Sequence, residues 1–256
     1  MNALSKDAAG MKALLICLLS ILTHTAAAQQ VKAEATEDWS WKPPIVTPAK
    51  KGHAPSDAIV LFAGAKDLSQ WEHLDSSAVK WKVKGRQLTI VPKTKDIRTK
   101  RAFGSMQLHI EWKTPDPKTD HGANNYGNSG VFFMGLYELQ IYESYQYDTR
   151  IYYNGQAGSI YKQYTPLANA SLPPQAWQAF DVVFEAPVFN TDHSLKTPAY
   201  ITVFHNGILI QHHVAIKGPM VYAGYPKYEY HADKLPLVLQ EHGSQVSFRN
   251  IWVREL

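Results

Sequence analysis

The chain has 256 residues, of which 45% are apolar and 19% charged, with a formal net charge of +4. That apolar content supports a buried core and excludes a disordered chain. The basic residues are scattered, which argues against a nucleic-acid face, and the single cysteine, Cys17, excludes a disulfide framework.

The N-terminus reads as an address. Lys6 and Lys12 precede an apolar run, Ala13 to Leu22, followed by small residues at Ala26 and Ala28. This is the layout of a secretory signal peptide cut near Ala28, and its apolar run is too short to span a membrane. Cys17 lies inside the run, so the mature chain holds no cysteine. An exported protein without disulfides must draw its stability from core burial, which about 200 residues can supply. Residues 29–56 are polar and rich in Pro and Lys and read as a linker or extended arm. Residues 57–256 read as one domain.

From Asp57 onward the chain predicts short strands punctuated by turns. Ala58–Phe62 ends at Gly64. Trp81–Val83 and Gln87–Val91 flank Lys84-Gly85-Arg86, a hairpin signal. The cluster Lys93, Lys95, Arg98, Lys100 and Arg101 reads as a solvated loop or a charge-protected edge strand. Met106–Trp112 alternates apolar and polar residues. Val131–Phe133, Tyr137–Tyr142, Phe180–Glu185 and Ala199–Phe204 follow. Asn206-Gly207 predicts a tight hairpin turn into Leu209–Ile216, and Leu237–Gln240 and Val246–Val253 close the chain. Beyond the leader no stretch longer than about ten residues has helical period. Such a pattern predicts an all-β, jelly-roll β-sandwich of two antiparallel sheets. The turn-rich segments 113–130, 144–176 and 217–236 exceed hairpin length and carry many Tyr, His and Pro residues. Loops of that size in a compact domain are usually functional.

The most informative stretch runs from Asn128 to Glu143. Tyr137, Leu139 and Ile141 alternate with Glu138, Gln140 and Tyr142, so one face reads as core and the other presents a carboxylate, an amide and a phenol. Same-face neighbours lie roughly 6.5–7 Å apart, a spacing that suits a sugar ring. Aromatic residues crowd the region, among them Tyr126, Phe132, Tyr145 and Tyr147.

Several motifs in series carry a family resemblance. They are Leu61-Phe-Ala-Gly…Asp67-Leu-Ser-Gln-Trp71, Trp81-x-Val-x-Gly85-x-x-Leu88, Asn128-Ser-Gly-Val131, Tyr137-Glu-Leu-Gln140, Ala157-Gly-Ser-Ile-Tyr161, Trp177, Asn206-Gly207, Leu239-Gln-Glu-His-Gly243 and Phe248-Arg-Asn-Ile251. In that order the chain resembles the domain of unknown function 1080 family, over roughly residues 57–256. That family is described as 3-keto-glucoside 1,2-lyase/3-keto-2-hydroxy-glucal hydratase, formerly 3-keto-disaccharide hydrolase. The resemblance implies a concanavalin-A-like jelly roll and an exported enzyme acting on glycosides already oxidised at C3. It also implies a separate oxidoreductase that supplies the ketone. Ala63 replaces the usual Asn of the opening motif, segment 186–198 reads as an insertion, and loop 144–156 is rich in Tyr. These departures bear on substrate rather than class.

A ketone at C3 acidifies the C2 proton. Removing it gives an enolate, the C1 oxygen leaves by β-elimination, and water adds to the enone. The site needs a base, a group that stabilises the enolate oxygen, and an acid for the leaving group. Glu138 is the first candidate base or acid, since aromatic surroundings would raise its proton affinity. His242, which shares a face with Gln240 by period two, is the second. Gln140 cannot exchange protons and is assigned to sugar hydroxyls, with Asn128, Ser129, Tyr142, Tyr161, Lys162 and Gln240 as further substrate-binding candidates. Lys162 is the nearest cation for an enolate oxygen.

Glu138-x-Gln140-x-x-Glu143 is similar to the E-x-D-x-x-E strand of laminarinase-type glycosidases, which makes Glu143 a third catalytic candidate. Residues five apart on a regular strand face opposite sides, so a β-bulge would be needed to bring Glu143 round. A retaining β-glucanase of similar fold, with two carboxylates about 5–5.5 Å apart, is therefore one alternative. A non-catalytic carbohydrate-binding module is another. No cofactor is expected. The histidines lack zinc spacing, and Asp116-Pro-Lys-Thr-Asp120 offers oxygens to calcium but places Lys118 among them. Neither a nucleic-acid partner nor a membrane span is expected.

Overall fold

The structure is a computed structural model that describes residues 32–50, 52–118, 120, 126–146 and 151–256. The segment expected to be a signal peptide, with Cys17, lies outside the described residues, as do His121 and Tyr147. The chain divides into two units, Met1–Pro44 and Ile45–Leu256. Among the described residues of the first, a 3-10 turn at Ala33–Thr36 leads into extended chain, where the Trp39 indole donates to Glu37 at 3.1 Å.

The second unit is built from strands. In order these are β1 (Ile59–Phe62), β2 (Trp71–His73), β3 (Lys82–Lys84), β4 (Gln87–Thr89), β5 (Ile97–Phe103), β6 (Met106–Lys113), β7 (Ser129–Phe133) and β8 (Tyr137–Ile141). Then come β9 (Gln178–Glu185), β10 (Val188–Phe189), β11 (Leu195–Thr197), β12 (Tyr200–His205), β13 (Ile208–Ala215), β14 (Leu235–Leu239) and β15 (Ser247–Glu255). All but β10 and β11, which pair as a separate hairpin, form two antiparallel sheets. The larger runs β13-β12-β9-β6-β15-β4-β3 with β1 also on β15, and the smaller runs β2-β5-β14-β7-β8. This is the sandwich the short alternating strands predict. No helix among the described residues is long and apolar enough to cross a membrane.

The core lies between the sheets, where alternation sends one side chain in two. Met106, Leu108, Ile110 and Trp112 of β6 are fully buried, as are Val131 and Phe133 of β7 and Leu139 and Ile141 of β8. Phe133 and Phe184 stack across the gap at 4.7 Å. Each such side chain contributes about 1.5–3 kcal/mol through burial.

The predicted strands form with their ends moved by a residue or two, and Asn206 and Gly207 turn between β12 and β13 with φ of 52° and 80°, the left-handed pair a tight hairpin needs. Segment 186–198, read as an insertion, holds the small hairpin β10–β11. The basic cluster divides. Lys93 and Lys95 lie exposed in the turn before β5, as a solvated loop predicts, while Arg98, Lys100 and Arg101 lie on β5, which runs between β2 and β14, although β2 pairs only with Ile97–Thr99. Arg98 is consumed by Glu72 at 2.8 Å, whereas Lys100 and Arg101, past the end of β2, remain exposed. The Thr99 hydroxyl donates to the Arg101 carbonyl at 2.6 Å, and the β5–β14 register shifts here. That irregularity breaks the period-two signal that would reveal the strand.

Candidate active site

The site grows from the outer face of the smaller sheet. Because Val131, Phe133, Leu139 and Leu239 enter the core, their neighbours must point the other way. Pairing then lines up two rows across the strands. One runs Glu138, Phe132, Val238, Arg98, Glu72. The other runs Gln140, Gly130, Gln240, joined by the Gly130–Gln140 pair and by the Gln240 amide donating to the Gly130 carbonyl at 3.0 Å. Adjacent members sit about 4.8 Å apart.

Gly130 is the gap in this surface. A Cβ there would stand 2.6 Å from Glu138 Oε1 and 2.8 Å from the Phe132 ring. Its missing side chain is what lets the Glu138 carboxylate fold over the sheet. A cavity of about 270 Å³ opens above it, floored by Glu138, Gln140 and Gln240. Ligand pockets run from roughly 300 to 1,000 Å³, so this one suits a single sugar ring. Asn128 and His242 complete it from the approaches to β7 and β15, and Tyr161, Met220 and Tyr222 from the long loops.

Those loops are held by backbone bonds. Gln140 donates to the Ser159 carbonyl at 3.0 Å, Gly158 to the Gln140 carbonyl at 2.9 Å and Tyr161 to the Glu138 carbonyl at 3.4 Å. Residues 158–161 thereby cover the β8 edge and bring Tyr161 into the cavity. Met220 donates to the Leu136 carbonyl at 2.8 Å, and Lys162 Nζ donates to the Tyr222 carbonyl at 2.5 Å while lying 4.1 Å over its ring.

The electrostatics single out Glu138. It is 4% exposed, and its carboxylate accepts no hydrogen bond from the described residues. Burial, assisted by the charge of Asp96, pushes it up from 4.5 to about 8. Asp96 is itself raised by burial, against the Glu241 N–H that it accepts at 2.8 Å. Gln140 is 2% exposed and its Oε1 has no partner among the described residues. A buried orphan acceptor costs about 1–3 kcal/mol, so a ligand that donates to it recovers that cost. The Asn128 amide lies 3.3 Å from His242 Nδ1. Donation from Asn128 to Nδ1 leaves the imidazole proton on Nε2. Burial and the Tyr152 hydroxyl, 2.5 Å away, push the Tyr161 phenol upward.

Glu138, His242, Gln140, Asn128, Tyr161 and Gln240 thus meet in one cavity, whereas the remaining candidates do not line it. β8 ends at Ile141, and Glu143 turns away. Its carboxylate accepts from the Thr114 hydroxyl at 2.6 Å and from the Tyr145 N–H at 2.9 Å, so no bulge returns it to the groove. Ser129 is fully buried and donates to the Gln240 carbonyl at 2.7 Å, fastening β7 to the chain after β14. Tyr142 is buried against Tyr126, with ring centres 6.1 Å apart. Lys162 supports Tyr222 from outside. Of the calcium candidates, Asp120 accepts from Ser244 Oγ at 2.6 Å and Asp116 from the Lys118 N–H at 2.9 Å.

Four contributors escape the sequence reading. Gly130 carried the signal of a glycine inside a strand. Met220 and Tyr222 sit in a loop flagged by its length and its Tyr, His and Pro content, with neither residue singled out. Asp96 had no local signature.

Comparison with known proteins agrees with this architecture. The 3-keto-alpha-glucoside-1,2-lyase-like domain matches residues 57–254. A crystal structure of a "putative glycosyl hydrolase" from Parabacteroides distasonis ATCC 8503 shares 43% identity at a TM-score of 0.81, covering 88% of this chain and 97% of that one. A second protein described in the same words from that organism shares 19% identity at a TM-score of 0.57, covering 78% and 94%, and shares the fold alone. No curated protein matches. The domain match takes in every strand from β1 to β14, β15 but for its last residue, and every residue of the cavity, and the chain therefore belongs to the 3-keto-alpha-glucoside-1,2-lyase-like family.

Proposed function

We propose that the protein cleaves 3-keto-α-glucosides by elimination followed by hydration. The observation that carries this reading is Glu138, a buried carboxylate without hydrogen-bond donors among the described residues, pushed up to about 8 on the floor of a cavity for one hexose. A base with proton affinity near the working pH is what abstraction next to a ketone requires. Glu138 takes the C2 proton, and the electron pair of that C–H bond passes into an enolate on the C3 oxygen. The side-chain amides of Asn128, Gln140 and Gln240 and the Tyr161 hydroxyl are the available donors for that oxygen and for the ring hydroxyls. The enolate then expels the C1 oxygen, which takes a proton from His242 Nε2. Water adds to the resulting enone, its oxygen to C1 and a proton to C2, giving free 3-keto-glucose.

Two features weigh against the alternatives. Retaining hydrolysis needs a second carboxylate about 5–5.5 Å from the first, and Glu143 is engaged by Thr114 and Tyr145. A binding module has no use for a buried carboxylate of raised proton affinity, which disfavours the folded state. The leader supports export, and the 3-keto group would come from a separate oxidoreductase. The test is incubation with methyl 3-keto-α-glucoside and with its unoxidised parent. Methanol release from the keto sugar alone is expected, and release from the parent alone overturns the reading.

A further inference from the structure

The outer face of the smaller sheet carries a second hollow, of about 260 Å³, beside the first. Its surface comes from Phe132, Val238, Leu235, Pro236, Met134 and Leu74. Asp96 and Arg98 stand at its border, Asp96 accepting the Glu241 N–H at 2.8 Å through Oδ1 and Arg98 giving Nη2 to Glu72 and Ser76 at 2.8 and 3.1 Å. The two hollows adjoin on the sheet. Phe132, in the second, is the direct cross-strand partner of Glu138, in the first. The Phe132 ring and Glu138 Oε1 converge within 3 Å of one point, the missing Cβ of Gly130. A substrate held with its C2 proton at Glu138 therefore has its neighbouring substituent within reach of Phe132.

We infer that this hollow is the leaving-group subsite, and that it selects an apolar aglycone, alicyclic or aromatic, rather than a second sugar. A hexosyl group would lay hydroxyls on Phe132, Val238, Leu235 and Pro236, whose side chains offer no hydrogen bond, and unmatched hydroxyls lose their hydrogen bonds to water. A ring of six carbons instead removes apolar surface on both sides from water. The inference rests on the proposed activity, and the test separates the two.

The test compares kcat/KM for the methyl, cyclohexylmethyl and glucosyl 3-keto-α-glucosides. The first two release alcohols of similar acidity, so a difference between them reports binding. Wild type is expected to favour cyclohexylmethyl over methyl by at least about tenfold, with the disaccharide near methyl. Leu74→Asp should reduce the preference to about twofold, and Leu74 is 47% exposed, so folding tolerates the change. Val238→Thr, which keeps shape but adds a hydroxyl, should lower it by a smaller factor. Turnover of the methyl glycoside without a cyclohexylmethyl preference, or preference for the disaccharide, overturns the subsite alone. Absence of turnover of any 3-keto-glucoside overturns the activity and the subsite together.

Discussion

The outer faces of the two sheets handle buried charge in opposite ways. On the larger sheet, His109 meets Asp181 at 2.6 Å, Glu111 takes the Arg249 guanidinium at 2.5 Å and the Asn250 amide at 2.9 Å, and Trp252 stacks on the imidazole at 5.2 Å. Burial opposes ionisation of Glu111, yet its bonds to His109, Asn250 and Arg249 prevail and hold it down at about 2. Burial likewise opposes charge on His109, and its two carboxylates overcome it, to about 9. On the smaller sheet Glu138 has no such partners, and burial carries it the other way, to about 8. A satisfied cluster supports the fold, whereas an unsatisfied carboxyl of raised proton affinity in a cavity is available for chemistry.

Exchanging one carboxylate on each face separates these roles. Glu138→Gln is expected to lower kcat by about 10³-fold with the fold intact by circular dichroism, while Glu111→Gln leaves turnover within about twofold. A Glu138→Gln enzyme as active as wild type would remove Glu138 from the mechanism. Gly130→Ala places a methyl group 2.6 Å from Glu138 Oε1, too close for both to stay, and a fall of about ten- to a hundredfold in kcat is expected, read by the same release assay.

Stability should respond with opposite signs. Glu111→Gln takes from Arg249 its anion and from His109 one of its two carboxylates, and should cost about 1–3 kcal/mol in chemical denaturation at neutral pH. Glu138 is raised in the folded state, so the folded protein holds a proton that the unfolded chain releases above 4.5. Its contribution to stability therefore falls as pH rises from 4.5 towards about 8. Glu138→Gln should accordingly gain on wild type by about 1–3 kcal/mol at pH 8 and by little at pH 4. Melting temperatures of both proteins at the two pH values check the sign. The mildest effect is expected at Tyr222, which is 77% exposed and offers a ring for a sugar to lie on: Tyr222→Ala should raise KM about three- to tenfold with kcat little changed.

Much of the sandwich was legible because period-two alternation is a local property. Met106–Trp112 and Tyr137–Ile141 announce their faces residue by residue, and Asn206-Gly207 names its own turn. The strand at Ile97–Phe103 was not legible, because a bulge at Thr99 and a run of cations interrupt the alternation. Within the site, Glu138 could be placed on one face with Gln140, and Gln240 with His242, from their spacing, but not the two pairs with each other. Glu143 could not be placed, since its direction depends on where β8 stops and on Thr114, far away in sequence.

The amino-acid sequence by itself determined that the chain makes short two-faced strands, that one of them lifts a carboxylate and an amide away from the core, and which family it resembles. Those features need only neighbours along the chain. The tertiary structure alone decided that a missing side chain at Gly130 opens the cavity, that Asp96 bears on Glu138, that Tyr222 and Met220 close over it, and that Glu143 is spent on Thr114. Each depends on how strands and loops distant in sequence come to lie side by side, and packing across a sheet has no period along the chain from which it could be read.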